Sequence, residues 1–111
     1  MRTVDINSIK PSGEEVAIFQ GIKHGANVSF FIVHFSPGKG PRKHRHPYEE
    51  TFIILEGEIE AIIDGETKTL RENNIVIIPA GDGHAFKNRS EKQVFMINIH
   101  PVPEMVTEWV S

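Results

Sequence analysis

Hydrophobic residues along this chain recur at the period of strands rather than of helices. Val16, Ala17, Ile18 and Phe19 predict a first strand between Glu15 and Ile22. Residues 28–35 read Val-Ser-Phe-Phe-Ile-Val-His-Phe, rich in the branched and aromatic types that strands favour. Another run covers 50–56, after which Ile59, Ala61 and Ile63 alternate with Glu58, Glu60 and Ile62. Ile75-Val76-Ile77-Ile78 reads as a buried strand, and residues 94–100 as the last clear one, stopped by Pro101 and Pro103. Turn residues separate these runs: His24-Gly25-Ala26-Asn27, Asn73-Asn74, the Pro79–Gly83 loop and, most clearly, the hairpin signal Asp64-Gly65. Residues 104–109 form a short helical turn or an extended tail. Many short strands with turns between them predict an all-β sandwich or barrel. No linker or repeat divides the 111 residues, so 1–111 reads as a single domain with an N-terminal arm and a C-terminal tail.

The strands at 28–35, 51–55 and 75–78 are apolar on both faces. A small barrel buries only its inner face. Either the N-terminal arm or a second subunit must cover the other, and a homodimer is the expectation.

Composition narrows the chemistry. There is no cysteine, which excludes disulfides, thiolate nucleophiles and zinc–thiolate sites. A formal net charge of -3 gives no case for nucleic acid. Lys39, Arg42, Lys43 and Arg45 cluster as a solvated loop or as an entrance attracting anions. No apolar run reaches the ~18 residues of a membrane helix, and the first residues lack the apolar core of a signal peptide. No membrane association and a cytoplasmic location are expected.

Histidine carries the strongest chemical signal. His44, His46 and Glu50 differ in number by two and four, which puts two imidazoles and a carboxylate on one face if the stretch is an extended strand. His84, after the Pro79–Gly83 loop, is a candidate fourth ligand. Tyr48, Phe52, Ile54 and Phe86 share the ligands' parity and are expected to wall a cavity, Tyr48 at its entrance or as a cap on the barrel. Glu49 should face outward. His34 reads as a satisfied core or interface histidine, and His24 as exposed in its turn. His100, in step with Val94, Met96 and Asn98, faces either the pocket or the outside. Met105 and Trp109 form an apolar tail that packs on the barrel or closes the pocket, packing being the simpler expectation.

These residues resemble the cupin family. Its first motif is Gly, five residues, His-x-His, three or four residues, Glu, six residues, Gly, and it is met by Gly38, His44, His46, Glu50 and Gly57. Its second is Gly, five residues, Pro-x-Gly, two residues, His, three residues, Asn, and it is met by Pro79, Gly81, His84 and Asn88. Asn73 replaces the second motif's first glycine; asparagine tolerates a left-handed backbone better than other non-glycine residues. The resemblance implies a double-stranded β-helix (jelly-roll) barrel over about 28–100. It also implies one divalent metal held by His44, His46, Glu50 and His84. Such a donor set suits Fe, Mn, Ni, Co, Cu or Zn and leaves positions open. The reading that follows is a metal-dependent enzyme on a small organic substrate, most plausibly a dioxygenase, with Glu50 as ligand and proton acceptor. The alternatives are a metal-dependent isomerase or lyase, and a non-catalytic module that binds a small ligand.

Overall fold

A computed structural model of the chain describes residues 1–110. It is all-β, with ten strands in two antiparallel five-stranded sheets packed face to face. One sheet has the order β1-β2-β9-β4-β7: β1 is Val16–Phe19, β2 Ser29–Phe35, β9 Val94–His100, β4 Glu50–Glu56 and β7 Ile75–Ile78. The other has the order β10-β3-β8-β5-β6: β10 is Glu108–Trp109, β3 His44–Arg45, β8 His84–Lys87, β5 Glu58–Ile63 and β6 Glu66–Arg71.

Alternation decides which side chains meet between the sheets. Val33, Phe52, Ile54, Ile78, Val94 and Met96 come from the first sheet, and Ile59, Ala61, Leu70 and Phe86 from the second. This apolar core fills one end of the barrel. Along the inner face of β9 the chemistry changes, from Val94 and Met96 to Asn98 and His100. The polar residues mark the other end, where the candidate site lies.

The turns follow from their residues. Asp64 and Gly65 both have positive φ (48° and 80°), as a two-residue type I′ hairpin between β5 and β6 requires. Asn73 also has positive φ (71°), so asparagine does take the left-handed conformation there.

Three expectations need correction. The first strand is shorter than Glu15–Ile22, because a 3-10 turn at Gly21–Lys23 ends it. The histidine stretch is not one strand: His44 belongs to β3 and Glu50 to β4, in opposite sheets, with a bend at Pro47 and Tyr48 carrying the chain across. Ile75–Ile78 is an edge strand rather than a buried one, with Ile75 and Ile77 68% and 60% exposed. Its run of branched residues serves two faces: Val76 and Ile78 turn inward beside Phe52 and Glu50, while Ile75 and Ile77 turn outward beside Ile53 and Thr51. The N-terminal arm, including the 3-10 turn Ile6–Ile9, lies over the other end of that outer face near Phe19, Phe30 and Ile32.

Gly40 passes so close to β8 that an added Cβ would overlap the Phe86 carbonyl oxygen. Gly40→Ala should therefore destabilise the fold, on the order of 1–3 kcal/mol as overpacking does. Urea unfolding measures this, and an unchanged midpoint would contradict the close approach.

Candidate metal centre

His44 and His84 are direct cross-strand partners on β3 and β8, so both rings project from one sheet into the barrel. His46 follows β3 immediately. Glu50 opens β4 on the opposite sheet and points back toward the histidines. All four side chains are buried, between 2% and 7% exposed, and each offers a ligand atom within 4.8 Å of the others.

The outward nitrogens are already committed. His44 Nδ1 lies 2.8 Å from the Arg42 carbonyl oxygen, His46 Nδ1 2.7 Å from that of Val106 and His84 Nδ1 3.0 Å from that of Asp82. A carbonyl can only accept, so each Nδ1 carries the proton. In the neutral ring each Nε2 then holds a lone pair that points inward. Glu50 Oε1 stands 3.1 Å from His46 Nε2 and 3.0 Å from His84 Nε2. Despite these distances Glu50 Oε1, His46 Nε2 and His84 Nε2 have no well-aligned hydrogen bond among the described residues. With an atom of His44 they lie within 4.8 Å of one another. Neighbouring donors of an octahedral shell with bonds of about 2.1 Å stand about 3.0 Å apart. Spacing, donor types and the orphaned inner atoms all fit a divalent transition metal held by His44, His46, Glu50 and His84.

The second carboxylate oxygen faces a different neighbour. His100, fully buried, places Nε2 3.0 Å from Glu50 Oε2 and its Nδ1 2.5 Å from the Tyr48 hydroxyl. The Val106 amide donates to that hydroxyl at 3.2 Å. With its oxygen accepting there, the phenol can give its proton to His100 Nδ1, which leaves the Nε2 proton facing Glu50. Tyr48 thus sits beside the centre, stacked on His46 with ring centroids 5.2 Å apart. His100 faces the pocket, so its open assignment resolves inward.

Electrostatics follow from these contacts. Burial opposes ionisation of Glu50, but His100, His46 and His84 outweigh it and hold the carboxyl far below the usual carboxylate range. Burial pushes His44 down, against its bond to the Arg42 carbonyl. Burial also opposes charge on His46, yet Glu50 and the Val106 carbonyl prevail and raise it. The Glu50 carboxylate thus favours the charged form of the His46 ring.

Beside the donors lies a cavity of about 190 Å³. Phe86 lines it, together with Phe31, Phe35, Asn98, Thr107 and Trp109. Tyr48, stacked on His46, does not, and neither do Phe52 and Ile54, which lie deeper, in the packed core, with Phe52 edge-on to His84 and Phe86. Shared parity put them on the inner face correctly, but the cavity occupies only one end of the barrel. The tail is extended and does more than pack. β10 pairs with β3, Thr107 and Trp109 form a cavity wall, and Val106 fixes His46. Two of the clustered cations hold it: Arg42 lies over the Trp109 ring at 4.6 Å and Arg45 pairs with Glu108 at 2.7 Å. Glu49 is exposed as expected, while His24 is half-buried against Phe19 and His34 stacks on Phe95 away from the site. Asn98, Thr107 and the role of His100 carried no motif; the period-two pattern of β9 was the one available signal for Asn98 and His100.

Comparison with known proteins agrees with this architecture. The cupin domain family matches residues 31–100, and the chain belongs to it. The chain is 31% identical over 102 residues to the polyketide synthase CurC of Streptomyces cyaneus, covering 86% of this chain and 66% of that protein. It is 30% identical over 83 residues to quercetin 2,3-dioxygenase of Bacillus subtilis, covering 72% of this chain but only 25% of that protein. Among solved structures, a double-stranded β-helix protein of Klebsiella pneumoniae superposes with a TM-score of 0.77 at 18% identity, covering 98% of this chain and 91% of its own. That likeness concerns the fold. Among the described residues no helix is long and apolar enough to cross a membrane.

Protein purified without added metal should carry about one transition-metal ion per donor set, and His46→Ala should lose it; elemental analysis of both decides the assignment, and unchanged content in the variant removes it. Metal must displace the proton that His46 holds above its usual range. Affinity should therefore rise with pH, about tenfold per unit for each proton released, and level off above the titration of His46. Competition titrations against a metal-binding dye measure that slope, and a flat profile would contradict it.

Proposed function

We propose that the chain is a metal-dependent enzyme acting on a small organic molecule, with dioxygenase-type chemistry as its reaction. The observation behind this reading is a buried, ionised donor set that opens onto an apolar, aromatic-walled cavity. The quercetin 2,3-dioxygenase of Bacillus subtilis supports it by similarity over a quarter of that protein's length. A metal held by His44, His46, Glu50 and His84 supplies, when bound, a Lewis acid with open positions and, if redox-active, a path for electrons between substrate and oxygen. The chain's own side chains do the rest. Phe31, Phe35 and Phe86 exclude water and orient a flat substrate against the donors. Glu50 takes the proton of an acidic substrate hydroxyl at Oε2. His100, held at Nδ1 by Tyr48, faces that oxygen and fixes the carboxylate in place.

Oxygen uptake on addition of catechols to metal-loaded protein tests this reading, and His84→Ala should abolish the uptake. Turnover in strictly anaerobic buffer would instead identify a metal-dependent isomerase or lyase. A ligand-induced thermal shift without turnover would identify a binding module.

The second element of the proposal is a homodimer through the outer face of the first sheet. There Ile99, Thr51 and Ile77 stand side by side across three strands, as do Ile97, Ile53 and Ile75. This patch carries no charge, so two copies can meet about a two-fold axis without like-charge repulsion. Sedimentation at micromolar concentration should give twice the chain mass, and Ile75→Lys with Ile77→Lys should give one. A one-chain mass for the unmodified protein would reject the dimer.

A further inference from the structure

Asn98 is a buried polar residue of the cavity that the metal site leaves unused. It is 4% exposed and its Oδ1 has no hydrogen-bond partner among the described residues. The residue lines the cavity, on the inner face of β9 between Met96 and His100. Across the sheet its register neighbours are Phe31 and Phe52, which offer the amide no hydrogen bond. A buried amide oxygen left unpaired weakens a fold, whereas an apolar group of the same shape would not. Its placement makes sense if the partner arrives with a ligand.

Cavity size limits what that ligand is. At about 190 Å³ the space slightly exceeds the roughly 150 Å³ that holds a benzene molecule and falls below the roughly 300 Å³ at which pockets for drug-sized ligands begin. Aromatic side chains form much of its wall. Position along the strand limits it further. His100, which touches Glu50, is the next inner-facing residue of β9, one two-residue step of about 7 Å from Asn98. That step is about the breadth of one ring with its substituents.

We propose that Asn98 reads the far side of a single-ring ligand: one edge of the ring presents oxygen to the metal donors, and a hydroxyl or amino group across the ring hydrogen-bonds the side-chain amide of Asn98. The ligand class is a monocyclic hydroxylated aromatic, or a cyclic enol of the same size, with a second hydrogen-bond donor. Fused or linked two-ring flavonols exceed the cavity. This inference rests on the metal-dependent reading above and adds the ligand's size and its second point of recognition.

Trp109 is the one tryptophan of the chain and lines the cavity, so its fluorescence reports occupancy. Metal-loaded protein is titrated without oxygen with 1,2,4-trihydroxybenzene, with 4-methylcatechol, which lacks the third donor, and with quercetin. The unmodified protein should bind the first about tenfold tighter than the second, the effect of one good hydrogen bond, and quercetin should not compete. In Asn98→Leu the preference should fall to about one. Equal preference in the variant and the unmodified protein, or quercetin binding as tightly as the single rings, overturns the proposal. A second measurement needs no ligand: metal-free Asn98→Leu should melt at or above the temperature of the unmodified protein, and a clear drop would show that the amide serves the fold. Metal content of the same samples separates the two readings. No metal in the unmodified protein sinks both; metal bound with an unchanged preference in Asn98→Leu sinks only the role of Asn98.

Discussion

Glu50 puts a negative charge inside the protein, and a charge so placed is stable only if its surroundings compensate it. The compensation comes from every side. His46 and His84 approach one oxygen and His100 the other. Each outer nitrogen is held in turn: His44, His46 and His84 by backbone carbonyls, His100 by Tyr48. Because the carboxylate and the histidine pair come from opposite sheets, the cluster also ties the sheets together at the end where the apolar core stops. A metal at the convergence of these donors would complete what the chain alone meets only in part, since Glu50 Oε1 and the Nε2 atoms of His46, His84 and His100 remain without aligned partners.

Much of this was legible in the sequence because it rests on local rules. Alternation places Ile59 and Ala61 inward, and Asp64-Gly65 turns the chain where a hairpin signal predicts. The four donors were legible through residue type and motif spacing. Parity along one imagined strand was the wrong reason for grouping His44, His46 and Glu50. They converge because the bend at Pro47 and Tyr48 moves the chain between sheets, and no periodicity spans such a crossing. Where in the barrel a cavity opens was not legible either: Phe52 and Phe86 share the inner face, yet only Phe86 reaches the space beside the donors. That depends on how two sheets taper against each other, a property of three-dimensional packing.

Most of the lining comes from segments other than the donors', Phe86 beside His84 on β8 being the exception. His44, His46 and His84 belong to β3, β8 and their flanks, whereas Phe31, Phe35 and Asn98 belong to β2 and β9. Substitutions on β2 or β9 can therefore reshape the cavity while the donor geometry stays intact. This separation accounts for a motif that identifies the family and its metal chemistry so much better than it identifies a substrate.

The tail joins what those segments keep apart. Its Trp109 walls the cavity and its Val106 carbonyl holds the outer nitrogen of His46, while an exposed ion pair and a cation–π contact keep it in place. One displacement of this strand would widen the cavity and free a donor ring together. An oversized guest that wedged the tail aside would thus loosen the grip on the metal it came to reach, so the barrel guards its selectivity by putting its own metal retention at stake.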